Sequence, residues 1–144
     1  MEDQIEQRPK IGVGIMVIKD DKILFSKRKS SHGEGEFAFP GGHLEYMESF
    51  KDCANREITE ECGIKIKNIK FKFLANVKKY APKHYVHIGL IVDWESGEPK
   101  ILEPNKQESW DWYELEKLPQ PLFHMCELVI DSYKTGKNYY DYEN

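Results

Sequence analysis

The chain has 144 residues and a net charge of −4, with 40% apolar, 12% aromatic and 32% charged residues. These values are typical of one globular domain with a buried core and argue against a disordered chain. The acidic balance argues against a general nucleic-acid binder, which would normally be basic. No apolar run is long enough to span a bilayer, and the first ten residues lack the apolar region of a signal peptide, so we expect a cytoplasmic protein.

The three cysteines are expected to be reduced thiols. Cys53 and Cys62 lie nine residues apart, so on one helix they point about 180° apart and cannot bridge. An odd number of cysteines also fits a reduced protein better than a disulfide framework. A zinc site is not expected, because the chain has no Cys-x-x-Cys pair and the sequence HMC at 124–126 lacks a matching pair of ligands.

The first third of the chain predicts strands. Residues 10–19 are β-branched and apolar, which predicts a strand buried on at least one face. Asp20-Asp21 then predicts a hairpin turn, and 22–28 the returning strand. The Ser- and Gly-rich residues 29–36 predict a loop, and residues 37–40 a short extended segment that ends at proline.

A helix is predicted over residues 48–62, entered through a turn at Gly41-Gly42 and ended by Gly63. The remaining predicted elements are strands at 64–79, 84–94 and 108–115 and a helix at 121–133 that starts with proline. The sequence therefore indicates one α/β domain at 10–135, with a flexible polar lead-in at 1–9 and a tail at 136–144.

Three glutamates share one face of the first predicted helix. If Glu57 is set at 0°, Glu61 falls near +40° and Glu60 near −60°, an arc of about 100°. Met47, Ala54 and Ile58 form the neighbouring apolar stripe, which we expect to pack on the sheet. Carboxylates crowded beside a core repel one another, and oxygen ligands of this kind suit Mg²⁺ or Mn²⁺. The spacing alone fits a solvated acidic face equally well.

The wider pattern resembles a known motif. Gly42, five residues, Glu48, seven residues and then the sequence REITEECGI fill every fixed position of the Nudix box, G-x5-E-x7-R-E-U-x-E-E-x-G-U, in which U is a bulky aliphatic residue. This resemblance implies an α/β/α sandwich with a mixed sheet that carries the Nudix loop-helix-loop. It also implies a Mg²⁺-dependent hydrolase of nucleoside diphosphates linked to another moiety, with Mn²⁺ as the alternative ion.

The resemblance also assigns roles to residues of the motif. Glu57, Glu60 and Glu61, together with the Gly42 carbonyl, would hold the metal ions that bridge the pyrophosphate. Arg56 would orient the glutamates through charge-assisted hydrogen bonds. Glu48 would tie the loop to the helix, and Glu57 would accept the proton from the attacking water.

Outside the box, the chain from about residue 11 to residue 123 resembles MutT-type nucleotide triphosphate diphosphatases, including those that act on oxidised and thiopurine nucleotides. This likeness implies phosphate contacts for Arg28, with Lys27 as a second cation, and an extra acidic ligand at Glu103 or Glu108. The residues that it places in the base pocket are Phe39, His87, Phe123 and His124. His124 stands where the thiopurine-acting relative has tryptophan, and His87 replaces a smaller hydroxyl residue, so the preferred base is not predicted.

Three functions are therefore compared. The leading one is hydrolysis of (deoxy)nucleoside triphosphates to the monophosphate and pyrophosphate, in nucleotide-pool sanitation or in metabolism. The second is cleavage of a dinucleoside polyphosphate or a nucleotide sugar, for which the position of Tyr80 after the box is weak support. The third is a non-catalytic nucleotide-binding module, which the complete box disfavours. In each case the partner is a small nucleotide, with no nucleic acid or membrane, and the resemblance is compatible with a homodimer.

Overall fold

A computed structural model describes residues 7–29 and 33–141. The helices found there are α1 (Phe50–Glu61) and α2 (His124–Thr135), with a 3₁₀ turn at Leu115–Lys117. The strands are β1 (Lys10–Lys19), β2 (Lys22–Lys27), β3 (Phe37–Ala38), β4 (Gly41–His43), β5 (Lys65–Val77), β6 (Tyr85–Ser96), β7 (Asp111–Glu114) and β8 (Tyr139–Tyr140).

Strand β1 lies inside a mixed sheet with the order β3-β2-β1-β6-β5-β8, to which β4 adds beside β1 and β7 beside β2. It runs parallel to β6 over residues 10–18 and antiparallel to β2 and β4. Residues 12–17 of β1 are all buried. A strand that is apolar on both faces in this way is expected where both sides of a sheet are covered.

Each helix covers one face of the sheet. Alternate residues of β1, beginning with Val13, pack in a cluster with Ala54 and Ile58 of α1. Met16, on the opposite face, belongs to a second cluster with Phe73 of β5 and several residues of α2. The predicted α/β/α sandwich with a mixed sheet is confirmed.

Helix α1 begins two residues later than predicted. Ser49 is its N-cap, and the Ser49 Oγ accepts a hydrogen bond of 3.0 Å from the backbone N–H of Asp52. Glu48 therefore precedes the helix. Gly63 follows the last turn with φ of 72°, and its N–H bonds to the carbonyl of Ile58, so the predicted glycine stop is confirmed.

Two expectations around this helix were wrong. Met47 does not join the apolar stripe with Ala54 and Ile58, because it lies before the helix with φ of 63° and is 86% exposed. The Gly41-Gly42 segment is not a turn but part of β4, in which Gly42 pairs with Val13. Without side chains, these two residues can run close beside β1, which the sequence pattern did not indicate.

The carboxyl-terminal part of the sheet also differs from expectation. Helix α2 starts at His124, three residues after Pro121, and ends at Gly136 in the left-handed region. Tyr139–Tyr140, within the predicted tail, pair in parallel with β5. Residues 1–6 of the predicted lead-in lie outside the described residues, and the domain limits stay predictions. No helix within the described ranges is long and apolar enough to cross a membrane.

Candidate active site

A cavity of about 600 Å³ brings together residues of β1, β4, β6, α1 and the loops around 80 and 103–107. Its size is within the range of cavities that bind nucleotide-sized ligands. The predicted site residues that line it are Arg28, Phe39, Gly42, Arg56, Glu57, Glu60, Glu61, His87 and Phe123. The fold therefore places the carboxylate face of α1 and three of the four expected base-pocket residues around one space.

Arg56 links the carboxylates at one side of the cavity. Its Nε and Nη2 donate to the two oxygens of Glu48 at 2.6 and 2.9 Å, and Nη1 donates to Glu57 Oε1 at 2.7 Å. Nη1 also reaches Glu60 Oε2 at 3.4 Å, and Nη2 donates to the His43 carbonyl oxygen at 3.0 Å. These bonds lower the pKa of Glu48 to about 2. The guanidinium therefore fixes the β4–α1 junction and orients the helix carboxylates toward one side.

Glu61 is the most enclosed of the three glutamates, with 6% of its surface exposed. Its Oε1 accepts a hydrogen bond from the Gly41 backbone N–H at 2.7 Å, and Oε2 accepts one from Gln107 Nε2 at 2.7 Å. Burial raises the pKa of Glu61 well above its ordinary value, and the nearby carboxylates of Glu57 and Glu103 act in the same direction. The backbone donor of Gly41 opposes this shift.

The surroundings of Gly42 indicate whether a divalent cation suits this part of the site. A Cβ added at this position would overlap the carboxyl carbon and both oxygens of Glu57. Only glycine, which has no side chain, lets the backbone at this position lie so close to that carboxylate. Burial also raises the pKa of Glu57, although its hydrogen bond to Arg56 opposes the shift. Oxygen donors of this kind, gathered where carboxylates repel each other, suit a hard divalent cation such as Mg²⁺, so the residues present fit this group.

The carboxylates are not yet converged on one point. Among the described residues, no three His, Cys, Asp or Glu side chains already form a set of ligands for one ion. Glu57 is bonded to Arg56 and Glu61 to Gly41 and Gln107, while Glu60 is 51% exposed at its side chain. The helix face therefore supplies carboxylate oxygens whose orientation is set by Arg56, Gly41 and Gln107.

Another part of the cavity lining carries aromatic and basic side chains. The Phe123 ring stacks on Tyr80 with centroids 4.9 Å apart, and the Arg28 guanidinium lies 4.3 Å from the same ring. Tyr80 Oη accepts the His124 backbone N–H at 2.9 Å, which supports the start of α2. Burial lowers the pKa of Arg28. The partly desolvated guanidinium remains charged and is suited to binding an anionic group.

Three predicted residues, Lys27, Glu108 and His124, are not among the described residues that line the cavity. Glu108 Oε2 lies 3.8 Å from Lys27 Nζ on a half-exposed surface. The His124 ring lies 3.3 Å from Glu127 Oε1. The loop before Glu108 contributes Glu103, the alternative that was predicted for the extra acidic ligand, and also Gln107.

Sequence reasoning missed several lining residues. Gln107 has no local signature, because its contact with Glu61 spans 46 positions. Its Oε1 is buried without a hydrogen-bond partner among the described residues. Three lysines that also line the cavity come from separate segments, namely Lys10, Lys83 and Lys106. Because these lysines are far apart in the chain, no run of basic residues in the sequence indicates that they share a site.

The NUDIX domain model matches residues 8–127 of the chain. Together with the mixed sandwich and the glutamates on α1, this match shows that the chain belongs to the Nudix family. It is a Nudix hydrolase of the kind that acts on nucleotide derivatives, and members of this family generally use a divalent metal.

Several relatives of the chain are enzymes with named activities. The chain is 33% identical to an ADP-ribose pyrophosphatase from Methanocaldococcus jannaschii, covering 90% of the chain and 76% of that protein. It is 31% identical to the NAD-capped RNA hydrolase NudC of Photorhabdus laumondii, covering 77% of the chain but only 40% of that protein. It is 28% identical to an oxidized purine nucleoside triphosphate hydrolase of Danio rerio, covering 73% of the chain and 66% of that protein.

The fold has a solved counterpart at similar identity. A MutT NUDIX hydrolase from Burkholderia pseudomallei superposes with a TM-score of 0.82 at 31% identity, covering 87% of the chain and 98% of the solved one. The relatives share the hydrolase class but differ in the substrates named for them.

Proposed function

We propose that this protein hydrolyses (deoxy)nucleoside triphosphates to the monophosphate and pyrophosphate, with Mg²⁺ as the ion. The observation that carries the proposal is the shared cavity, which joins the carboxylate face of α1 to basic side chains and to a wall containing Phe39 and His87. A nucleotide needs these three environments together: oxygen donors for an ion on its phosphates, cations, and an enclosed surface for its base.

The number of cations around the cavity favours a triphosphate. Besides Arg56, which the carboxylates hold, the lining contains Arg28, Lys10, Lys83 and Lys106. A triphosphate carries more negative charge than the diphosphate of a nucleotide sugar and gains more from several surrounding cations. The relative from Danio rerio, named as a hydrolase of oxidized purine nucleoside triphosphates, supports the same substrate class.

At the phosphates, the chain would act mainly by positioning. Glu57, Glu60, Glu61 and the Gly42 carbonyl would hold the ion, which neutralises phosphate charge and lowers the pKa of a bound water. Arg56 keeps the carboxylates on one side of the cavity, and Gln107 holds Glu61 in place. Glu57 as the proton acceptor remains a proposal that rests on the family resemblance.

The test is the release of pyrophosphate, detected through inorganic pyrophosphatase, from a panel that includes common nucleotides, 8-oxo-dGTP, dCTP and dihydroneopterin triphosphate. Activity is expected with Mg²⁺ and not with excess EDTA. Glu60→Gln should lower kcat on the order of a hundredfold, since it removes one charged ligand. Glu108→Gln is the matched control, because Glu108 pairs with Lys27 outside the cavity. Absence of cleavage over the whole panel with Mg²⁺ present would overturn the proposal.

A second candidate is a nucleoside diphosphate linked to a sugar. The observation in its favour is the relative from Methanocaldococcus jannaschii, which is named an ADP-ribose pyrophosphatase and matches 90% of the chain. Cleavage of such a substrate gives two phosphomonoesters and no pyrophosphate. The two candidates are therefore separated by parallel assays, one coupled to inorganic pyrophosphatase and the other to alkaline phosphatase.

A further inference from the structure

Tyr80 connects segments of the chain that are far apart in sequence. Its hydroxyl donates a hydrogen bond to Glu36 Oε1 at 3.3 Å and accepts one from the His124 backbone N–H at 2.9 Å, and each contact spans 44 positions. The Tyr80 ring also stacks on Phe123, with centroids 4.9 Å apart and an angle of 9° between the ring planes. One side chain therefore holds together the loop around 80, the residue before β3 and the start of α2.

Arg28 lies beside the same residues. Its guanidinium is 4.3 Å from the centroid of the Phe123 ring. Its backbone N–H donates to the Glu36 carbonyl oxygen at 2.8 Å. Arg28, Tyr80 and Phe123 all line the cavity. Two of the three partners of Tyr80 are therefore neighbours of the cation for which phosphate contacts are expected.

The aromatic contact suits a guanidinium that binds an anion. A flexible side chain loses rotamer freedom when it binds a ligand, and one that already lies against a ring has lost part of that freedom beforehand. The ring attracts the positive charge without neutralising it. Burial lowers the pKa of Arg28, but nearby groups that include Glu36 act in the opposite direction. The guanidinium is therefore held in place and stays charged.

The contacts of Phe123 are less suited to stacking on a base. Besides Tyr80 and Arg28, the Gly33 backbone packs against this ring, so that a Cβ added there would lie 2.7 Å from Cδ1 and 2.8 Å from Cε1. Protein atoms therefore cover several parts of the ring before any nucleotide binds. A role of Tyr80 only in stabilising the start of α2 would explain its bond to His124, but not a stack that ends beside Arg28.

We propose that Tyr80 and Phe123 are positioning residues that hold the Arg28 guanidinium toward the phosphates of the substrate. The proposal rests on the proposed function, since it requires a ligand with phosphates in this cavity. It assigns Phe123 to the phosphate end of the ligand and not to its base. The effect of both aromatic residues therefore passes through Arg28 and does not require a base.

The experiment measures binding, so its failure is distinguishable from a failure of the proposed hydrolysis. The probe is inorganic tripolyphosphate with Mg²⁺, which has the phosphates of a nucleoside triphosphate but no base. Calorimetry gives the dissociation constants, and thermal unfolding shows whether each variant is folded. The single variants are Phe123→Leu, Tyr80→Phe and Arg28→Met. Each aromatic variant is also combined with Arg28→Met, which completes two double-mutant cycles.

Tyr140→Phe is the matched control. The Tyr140 hydroxyl donates to Asp131 Oδ2 at 2.6 Å, and Tyr140 is not among the described residues that line the cavity. This variant loses a tyrosine hydroxyl that is hydrogen-bonded, as Tyr80→Phe does, but at a distance from Arg28. It should leave the dissociation constant of tripolyphosphate unchanged.

Phe123→Leu should weaken the binding of tripolyphosphate about tenfold, because a partly desolvated guanidinium loses its aromatic neighbour. Tyr80→Phe keeps the stacked ring but loses both hydrogen bonds, and it should weaken binding about threefold. In the Arg28→Met background neither change should weaken binding further, because the group that they position is absent.

Two results separate this proposal from the other roles of these residues. Unchanged tripolyphosphate binding in a folded Phe123→Leu protein would overturn it, and would favour the base pocket for this ring. Equal losses with and without Arg28 would also overturn it, because the aromatic residues would then act independently of the guanidinium. If Phe123→Leu does not fold, the cycle between Tyr80→Phe and Arg28→Met decides by itself. A wild-type protein that does not bind tripolyphosphate with Mg²⁺ would contradict the proposal as well.

Discussion

The uncharged state of His87 makes a quantitative prediction about stability in acid. In the unfolded chain a histidine has a pKa of about 6.5, whereas burial lowers the pKa of His87 to about 3 in the native protein. Between these values the unfolded state binds the proton that the native state excludes. The free energy of unfolding therefore has its full value, as far as His87 is concerned, above pH 6.5, and it decreases as the pH falls toward 3.

The magnitude follows from the two pKa values. At pH 4.5 the pH lies two units below the unfolded pKa and still above the native one. Each unit corresponds to about 1.36 kcal/mol, so His87 alone should lower the free energy of unfolding by about 2.7 kcal/mol between pH 7.5 and pH 4.5. Other titratable groups are present in both the wild type and a His87 variant, so their contributions cancel to first order when the two proteins are compared.

The assay is urea denaturation of wild type and His87→Leu at pH 7.5, 6.5, 5.5 and 4.5. The free energy of unfolding of the wild type, relative to that of the variant, should fall by about 2.7 kcal/mol across the series. A difference that stays constant with pH would show that the native imidazole binds protons normally. The interpretation of His87 as a desolvated, uncharged histidine would then be wrong.

Three further predictions concern the site and the thiols. Gly42→Ala should abolish most of the hydrolysis, because the added Cβ overlaps the Glu57 carboxylate. Steady-state kinetics measure the loss, and turnover at the wild-type rate would show that Gly42 does not lie so close to Glu57. Gln107→Leu removes the amide that is bonded to Glu61 and should weaken Mn²⁺ binding about tenfold. Titrations followed by electron paramagnetic resonance measure the affinity, and an unchanged value would show that Gln107 does not position Glu61 for the ion. Burial raises the pKa of the three thiols to about 12, so only about one in ten thousand is ionised at pH 8. They should therefore resist iodoacetamide until guanidinium unfolds the chain. Rapid alkylation of the native protein would show that they are accessible.

Local patterns predicted the parts of the structure that depend on nearby residues. The carboxylate arc on α1 follows from helical spacing alone, and the burial of Ala54 and Ile58 beside it agrees with the expected apolar stripe. Strand β1 could be predicted because its apolar run is continuous, although the sequence could not show that both faces would be covered. Gly63 ends α1 as its lack of a side chain led us to expect.

The remaining features depend on contacts between distant segments. The Gly41-Gly42 pair has the composition of a turn, but pairing with β1 makes it a strand. Tyr139–Tyr140 have no signal of their own and become a strand only because the edge of β5 is available to them. The hydrogen bond from Gln107 to Glu61 and the close packing of the His87 ring against Gly12 and Gly14 arise in the same way. No periodicity in the chain encodes them.

We propose that the protein cleaves a nucleoside triphosphate so that pyrophosphate leaves. Phosphorus NMR of the nucleotide panel, turned over with Mg²⁺, observes the products directly. The account predicts resonances of pyrophosphate and of the nucleoside monophosphate appearing together and in equal amounts. Inorganic phosphate with a nucleoside diphosphate as first products, or an unchanged spectrum for every nucleotide tested, would contradict it.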